Sequence, residues 1–61
     1  MVITKDMIIN QVVSARPDAA EILMAYGMGC VGCPSAQMET LEEAAAVHGM
    51  NLELLLAALN K

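Results

Sequence analysis

The vicinal cysteine pair Cys30-Val31-Gly32-Cys33 is the chemically distinctive feature of this chain. Two residues between cysteines is a spacing at which the sulfurs can close a tight disulfide ring, and one at which both can reach a single metal ion. As a structural staple the pair does little, because a loop this short gains only about 2 kcal/mol of closure entropy, against about 3 for fifteen residues. A redox role needs only the two sulfurs and some enhanced thiolate character, which a helix amino terminus favours. Cys33 stands immediately before Pro34, a common first-turn residue, so it is expected to head a helical turn and to be the more readily ionised thiol.

A metal site asks for more ligands. Tetrahedral zinc or an iron–sulfur cluster takes about four, and one chain offers Cys30, Cys33 and its single histidine, His48. His48 falls in line with Leu41, Ala44 and Ala45 at helical spacing, which reads as a partly buried core or interface histidine rather than a ligand. Metal or iron–sulfur handling would therefore draw four thiolates from two chains. The sequence calls for no cofactor and for no metal held within one chain. There is no phosphate loop, nucleotide fingerprint or nucleophile, base and orienter set, so stand-alone enzymatic activity is not expected. A third reading is a protein-interaction domain in which the cysteines are incidental.

The elements that must position this pair are helices. Hydrophobic residues make up 57% of the chain and aromatics 2%, the single Tyr26. A core of Leu, Ile, Val, Met and Ala favours helix over sheet. Met1-Val2-Ile3 reads as a short extended lead-in, with any sheet confined to a short pairing of residues 1–3. From Ile8, the set Ile8, Ile9, Val12 and Val13 follows helical spacing, and the helix must stop near Ala15 because Arg16 precedes Pro17. Pro17 suits the first turn of a second helix, with Asp18 and Glu21 near its positive end, an inward stripe of Ala19, Ile22, Leu23 and Tyr26, and Gly27 as its left-handed terminator.

Residues Gly27 to Pro34 then form the cysteine loop. It holds Gly27, Gly29 and Gly32, three of the four glycines, so its backbone is expected to take unusual angles or to approach something closely. Pro34 to Met38 makes one helical turn. Thr40 and Glu43 form a capping box for a third main helix that runs to His48 and ends at Gly49, and Asn51 caps a last helix from Leu52 to Asn60. On that helix Leu52, Leu55, Leu56 and Leu59 share one face, while Leu54 and Ala58 extend the apolar surface, which is consistent with a homodimer. The expected architecture is an all-α single domain spanning residues 1–61, a small compact bundle of about four short helices with a glycine-rich CxxC loop.

Charge narrows the partners. Seven acidic against three basic residues leave a net charge of −4, and Lys5, Arg16 and Lys61 are too far apart in sequence to suggest a basic patch. Nucleic acid and anionic membrane surfaces are therefore not expected partners. No apolar run approaches the roughly 18 residues of a membrane span, and the amino terminus lacks the basic-then-apolar order of a signal peptide. A cytoplasmic location is the expectation. Thiols are kept reduced there, which favours redox or metal roles for the cysteines over a structural bridge.

The sequence also resembles a known family. Ile3-Thr4-Lys5-Asp6-Met7, Ala19-Ala20-Glu21-Ile22-Leu23, the segment Tyr26-Gly27-Met28-Gly29-Cys30-Val31-Gly32-Cys33-Pro34, and Glu39-Thr40-Leu41-Glu42-Glu43-Ala44 with His48-Gly49 are similar to the hybrid-cluster-protein-associated disulfide domain. The resemblance implies a small helical domain of unassigned biochemical function, found alone or attached to redox proteins. It implies a redox-active disulfide at Cys30 and Cys33, with Gly27, Gly29, Gly32 and Pro34 forming the loop, and a redox or iron–sulfur protein as partner. A more distant similarity, to the cysteine-bearing amino-terminal domain of iron–sulfur-cluster repair proteins, implies metal handling. Ile8 departs from the family pattern, which places a Ser or Thr at the first helix start.

Overall fold

The computed structural model describes residues 2–29 and 31–61. Among the described residues five helices follow one another: α1 (Ile9–Ala15), α2 (Ala19–Ala25), α3 (Pro34–Gln37), α4 (Leu41–His48) and α5 (Leu52–Leu59). The bundle is all-helical, and α3 is the single turn expected after the cysteine loop. Helix α2 packs on α1 and α5, α3 on α1, and α4 on α5.

Local chemistry explains the boundaries of α4 and α5. The Glu43 amide donates to Thr40 Oγ1 at 3.1 Å and the Thr40 amide to Glu43 Oε1 at 3.0 Å, a reciprocal capping box. Gly49, at φ +67°, ends α4 in the left-handed conformation, and Asn51 Oδ1 accepts from the Leu54 amide at 3.1 Å to open α5.

The start of α1 is supported differently. Ile8 has no side-chain acceptor, and Gln11 Oε1 instead accepts from the Ile8 amide at 3.1 Å. The Ile9 amide donates to Glu39 O at 2.8 Å, while the Leu41 amide donates to Met7 O at 3.0 Å. Each helix thus has its first amide satisfied by the carbonyl that precedes the other's cap. This exchange is the antiparallel bridge between Ile8 and Thr40. No pairing occurs among the described residues of 1–3, where the sequence placed the only expected sheet contact. Instead the Ile3 main chain is held by a side chain, donating to Asn60 Oδ1 at 2.7 Å and accepting from Asn60 Nδ2 at 2.9 Å.

Two expectations about α2 need correcting. Pro17 lies in a turn ahead of the helix, with Asp18 as the cap residue and Ala19 as the first helical position. The Asp18 carboxylate turns back to the Arg16 guanidinium, Nε to Oδ1 at 2.6 Å, and this pairing holds Asp18 ionised below the usual carboxylate range. Arg16 also donates from Nη1 to Ala58 O at 3.1 Å and Leu59 O at 2.6 Å, capping the far end of α5. Tyr26, assigned to the inward stripe, is exposed. It stands at the C-cap (φ −93°, ψ 2°), where the chain leaves the helix and helical spacing no longer sets its direction.

The core is aliphatic throughout. Ile9, Val12, Leu23, Met28, Leu41, Leu55 and Leu59 are its largest fully buried side chains, with Ile3, Val31 and Met50 also buried. Among the described residues no helix is long and apolar enough to cross a membrane.

Candidate functional site

The cysteine loop begins where α2 is stopped. Gly27 has φ +116°, its amide donates to Met24 O at 3.1 Å, and the following Met28 amide donates to Leu23 O at 3.0 Å. This is the Schellman arrangement, which satisfies two carbonyls at a helix end and calls for a residue tolerant of positive φ. A hydrophobic residue just past such a glycine commonly packs back on the helix, and Met28 is fully buried. The same Gly-Met pairing ends α4, where the Met50 amide donates to Ala45 O at 2.9 Å and Met50 is buried. The two ends are neighbours: a β-carbon built on Gly27 would lie 3.9 Å from both His48 O and Met50 Cγ.

Beyond Gly27 the loop has an inner and an outer face. Met28 and Val31 point into the core, whereas Gly29, Gly32, Cys33 and Pro34 are exposed. Burying one such apolar side chain contributes about 1.5–3 kcal/mol, so Met28 and Val31 together anchor the segment. The sequence reading picked out neither of them as an anchor. For Met28 the available signal was its place directly after a helix-ending glycine; Val31 had no such signal.

Cys33 occupies the cap position of α3, with extended backbone (φ −73°, ψ 133°), and its carbonyl accepts from the Gln37 amide at 3.0 Å. Pro34 is the first helical residue, as its fixed φ and missing amide favour. Ala36 turns the inner side of α3 into the core, which leaves Cys33 at the outer edge. Cys30, the other half of the expected pair, lies outside the described residues.

Gly29 and Gly32 overturn one expectation. Neither has positive φ, and a β-carbon on either would meet no atom within 4 Å among the described residues. Among the described residues of this loop, positive φ belongs to Gly27 alone. At 29 and 32 the described residues leave room for a β-carbon.

His48 is half-buried in the last turn of α4 and faces Glu39, Nε2 to Oε1 at 3.7 Å. That Glu39 oxygen is buried and has no hydrogen-bond partner among the described residues. No group of three or more His, Cys, Asp or Glu side chains among the described residues is arranged to hold a metal ion. One open cavity of about 310 Å³ lies between Ile3, Ala15, Arg16, Leu59, Asn60 and Lys61. No described residue of the cysteine loop lines it.

The sequence profile of a domain of unknown function, DUF1858, matches residues 3–56. The chain belongs to that family. A protein from Clostridium thermocellum, solved in solution by NMR as a structural-genomics target, is 47% identical and superposes with a TM-score of 0.85, covering 98% of this chain and 86% of its own. This DUF1858 domain therefore shares its fold with an experimentally determined relative. No curated protein matches the chain.

Proposed function

We propose that this DUF1858 domain is a redox accessory or sensor module that carries a reversible dithiol/disulfide at Cys30 and Cys33 and serves a redox or iron–sulfur protein, rather than acting as a stand-alone enzyme. The observation that carries the reading is the placement of Cys33. It is exposed at the outer edge of a loop pinned from beneath by Met28 and Val31, three residues from a second cysteine in sequence. An exposed cysteine on an anchored segment suits thiol–disulfide exchange, because the attacking thiolate must reach a partner sulfur. The resemblance to the hybrid-cluster-protein-associated disulfide domain supports the same reading. Self-association through Leu54 on α5, which is 57% exposed, is part of the proposal.

The test is anaerobic purification, metal analysis and thiol counting on one sample, followed by equilibration in dithiothreitol buffers of graded oxidation. The expected result is the reversible loss of two thiols per chain with a monomeric mass lower by two hydrogens, abolished in both Cys30→Ser and Cys33→Ser. Tight zinc or iron with no reversible oxidation would replace this reading with metal handling across two chains. Unchanged partner binding in the double serine variant, with neither oxidation nor metal, would leave an interaction domain with incidental cysteines.

A further inference from the structure

Among the described residues, the outer face of the cysteine loop consists of bare backbone, Cys33 and Pro34. Met28 and Val31 turn inward, and Gly29 and Gly32 turn outward with nothing that a β-carbon would strike. Glycine at such a position is a cost to the folded domain, because it loses more conformational freedom on folding than any other residue. Gly27 accounts for itself through its positive φ, but the fold gives no such reason for Gly29 or Gly32. The described contacts of the folded chain therefore place no demand for glycine on these two positions.

A mixed disulfide with another polypeptide would place such a demand on them. Across a disulfide the two α-carbons usually lie about 4.4–6.8 Å apart, so a polypeptide joined to Cys33 brings its main chain within van der Waals reach of the residues beside it. Gly32 is one of these, and Gly29 stands next to the other cysteine of the pair. A β-carbon at either position would stand between two backbones. A small disulfide has no chain running on both sides of its sulfur and meets no such obstacle.

We propose that the redox partner of this loop is a polypeptide disulfide, whose main chain passes over the exposed backbone of Gly29 and Gly32. The inference rests on the redox reading of Cys30 and Cys33. In the exchange one loop thiolate attacks a sulfur of the partner disulfide, forming a mixed disulfide and releasing one partner thiolate. The second loop thiolate then attacks the loop sulfur of that bond, closing the Cys30–Cys33 disulfide and releasing the other partner thiolate. The domain dithiol is oxidised by two electrons, the partner disulfide is reduced by two, and the two protons pass to the partner thiols.

The experiment compares the reduced wild-type domain with Gly29→Ala and Gly32→Ala, using insulin as the polypeptide disulfide and 5,5′-dithiobis(2-nitrobenzoic acid) as the small one. Both variants are expected to fold with urea midpoints no lower than wild type and to keep the rate with the small disulfide, while insulin reduction falls roughly tenfold or more, as misplacement of reacting groups by an ångström can cause. Alanine variants that reduce insulin at the wild-type rate overturn the proposal. So do variants that lose both reactions equally, which would tie the glycines to ring closure, and so does a wild-type domain that reacts with the small disulfide but not with insulin. Failure of the wild-type domain to oxidise reversibly with either probe is a different result: it removes the redox reading itself.

Discussion

At the scale of single residues, three glycines that look alike in sequence have different physical roles. Gly27 is held at φ +116°, where an L side chain is strained, and a β-carbon there would also abut His48 O and Met50 Cγ. Gly27→Ala is therefore expected to destabilise the domain by about 1–2 kcal/mol, the usual cost of a left-handed alanine, read as a lower urea midpoint with an unchanged slope. A midpoint equal to wild type would mean that the Schellman closure is not what stops α2. The run Gly27-Met28-Gly29 showed in advance that the chain turns here, because a glycine after an apolar helix is a local signal. It did not show which glycine bears the strain, or that Met28 and Val31 would be the loop's anchors. Those depend on what the rest of the chain packs against the loop.

At the scale of elements, the parts visible in the sequence are those governed within one turn of chain. Thr40 with Glu43, Gly49, and Asn51 set α4 and α5 where local capping rules put them. The support of α1 and the cap on the end of α5 were not visible, because both rest on groups far away in sequence: Ile9 is satisfied by Glu39 O, and Arg16 reaches Ala58 O and Leu59 O. The Ile8–Thr40 bridge joins these two kinds of control, since Thr40 caps its own helix through its side chain and braces α1 through the adjoining backbone. Thr40→Ala removes the side-chain acceptor and leaves the backbone exchange in place. The expected loss is about 1 kcal/mol, the typical cost of losing a threonine cap, and Thr40→Ser should recover most of it. Amide exchange should quicken first at Glu43, whose donor loses its acceptor, while the Ile9 amide stays protected. If Ile9 loses protection to the same degree, the bridge depends on the cap and the two helix starts form a single unit.

At the scale of the whole molecule, 61 residues leave little margin. A core this small rarely supplies more than about 3–5 kcal/mol, so contacts that join the two ends of the chain carry unusual weight. If Leu54 is a self-association surface, its domain should show a thermal midpoint that rises with protein concentration, because a partner that binds only the folded state stabilises it by mass action. Leu54→Glu should abolish that dependence, and a wild-type domain that sediments as a monomer at high concentration would remove self-association from the proposal. The closure of the chain on itself makes a stronger claim. Asn60 accepts from the Ile3 amide at 2.7 Å and donates at 2.9 Å to both Ile3 O and Leu56 O, so one carboxamide fastens the buried Ile3 to the end of α5. Asn60→Ala leaves the Ile3 amide and carbonyl without these partners, and stranding a partly buried polar group costs about 1–3 kcal/mol. For a domain of this size each kcal/mol lowers the thermal midpoint by roughly 4–8 °C, so the variant should melt far below wild type. Asn60→Asp keeps an acceptor for the Ile3 amide but loses the Nδ2 donor, and should fall between the two. If Asn60→Asp melts as low as Asn60→Ala, the donated bonds hold the terminus; if Asn60→Ala melts with wild type, Ile3 is retained by its burial alone and the carboxamide clasp contributes nothing to the fold.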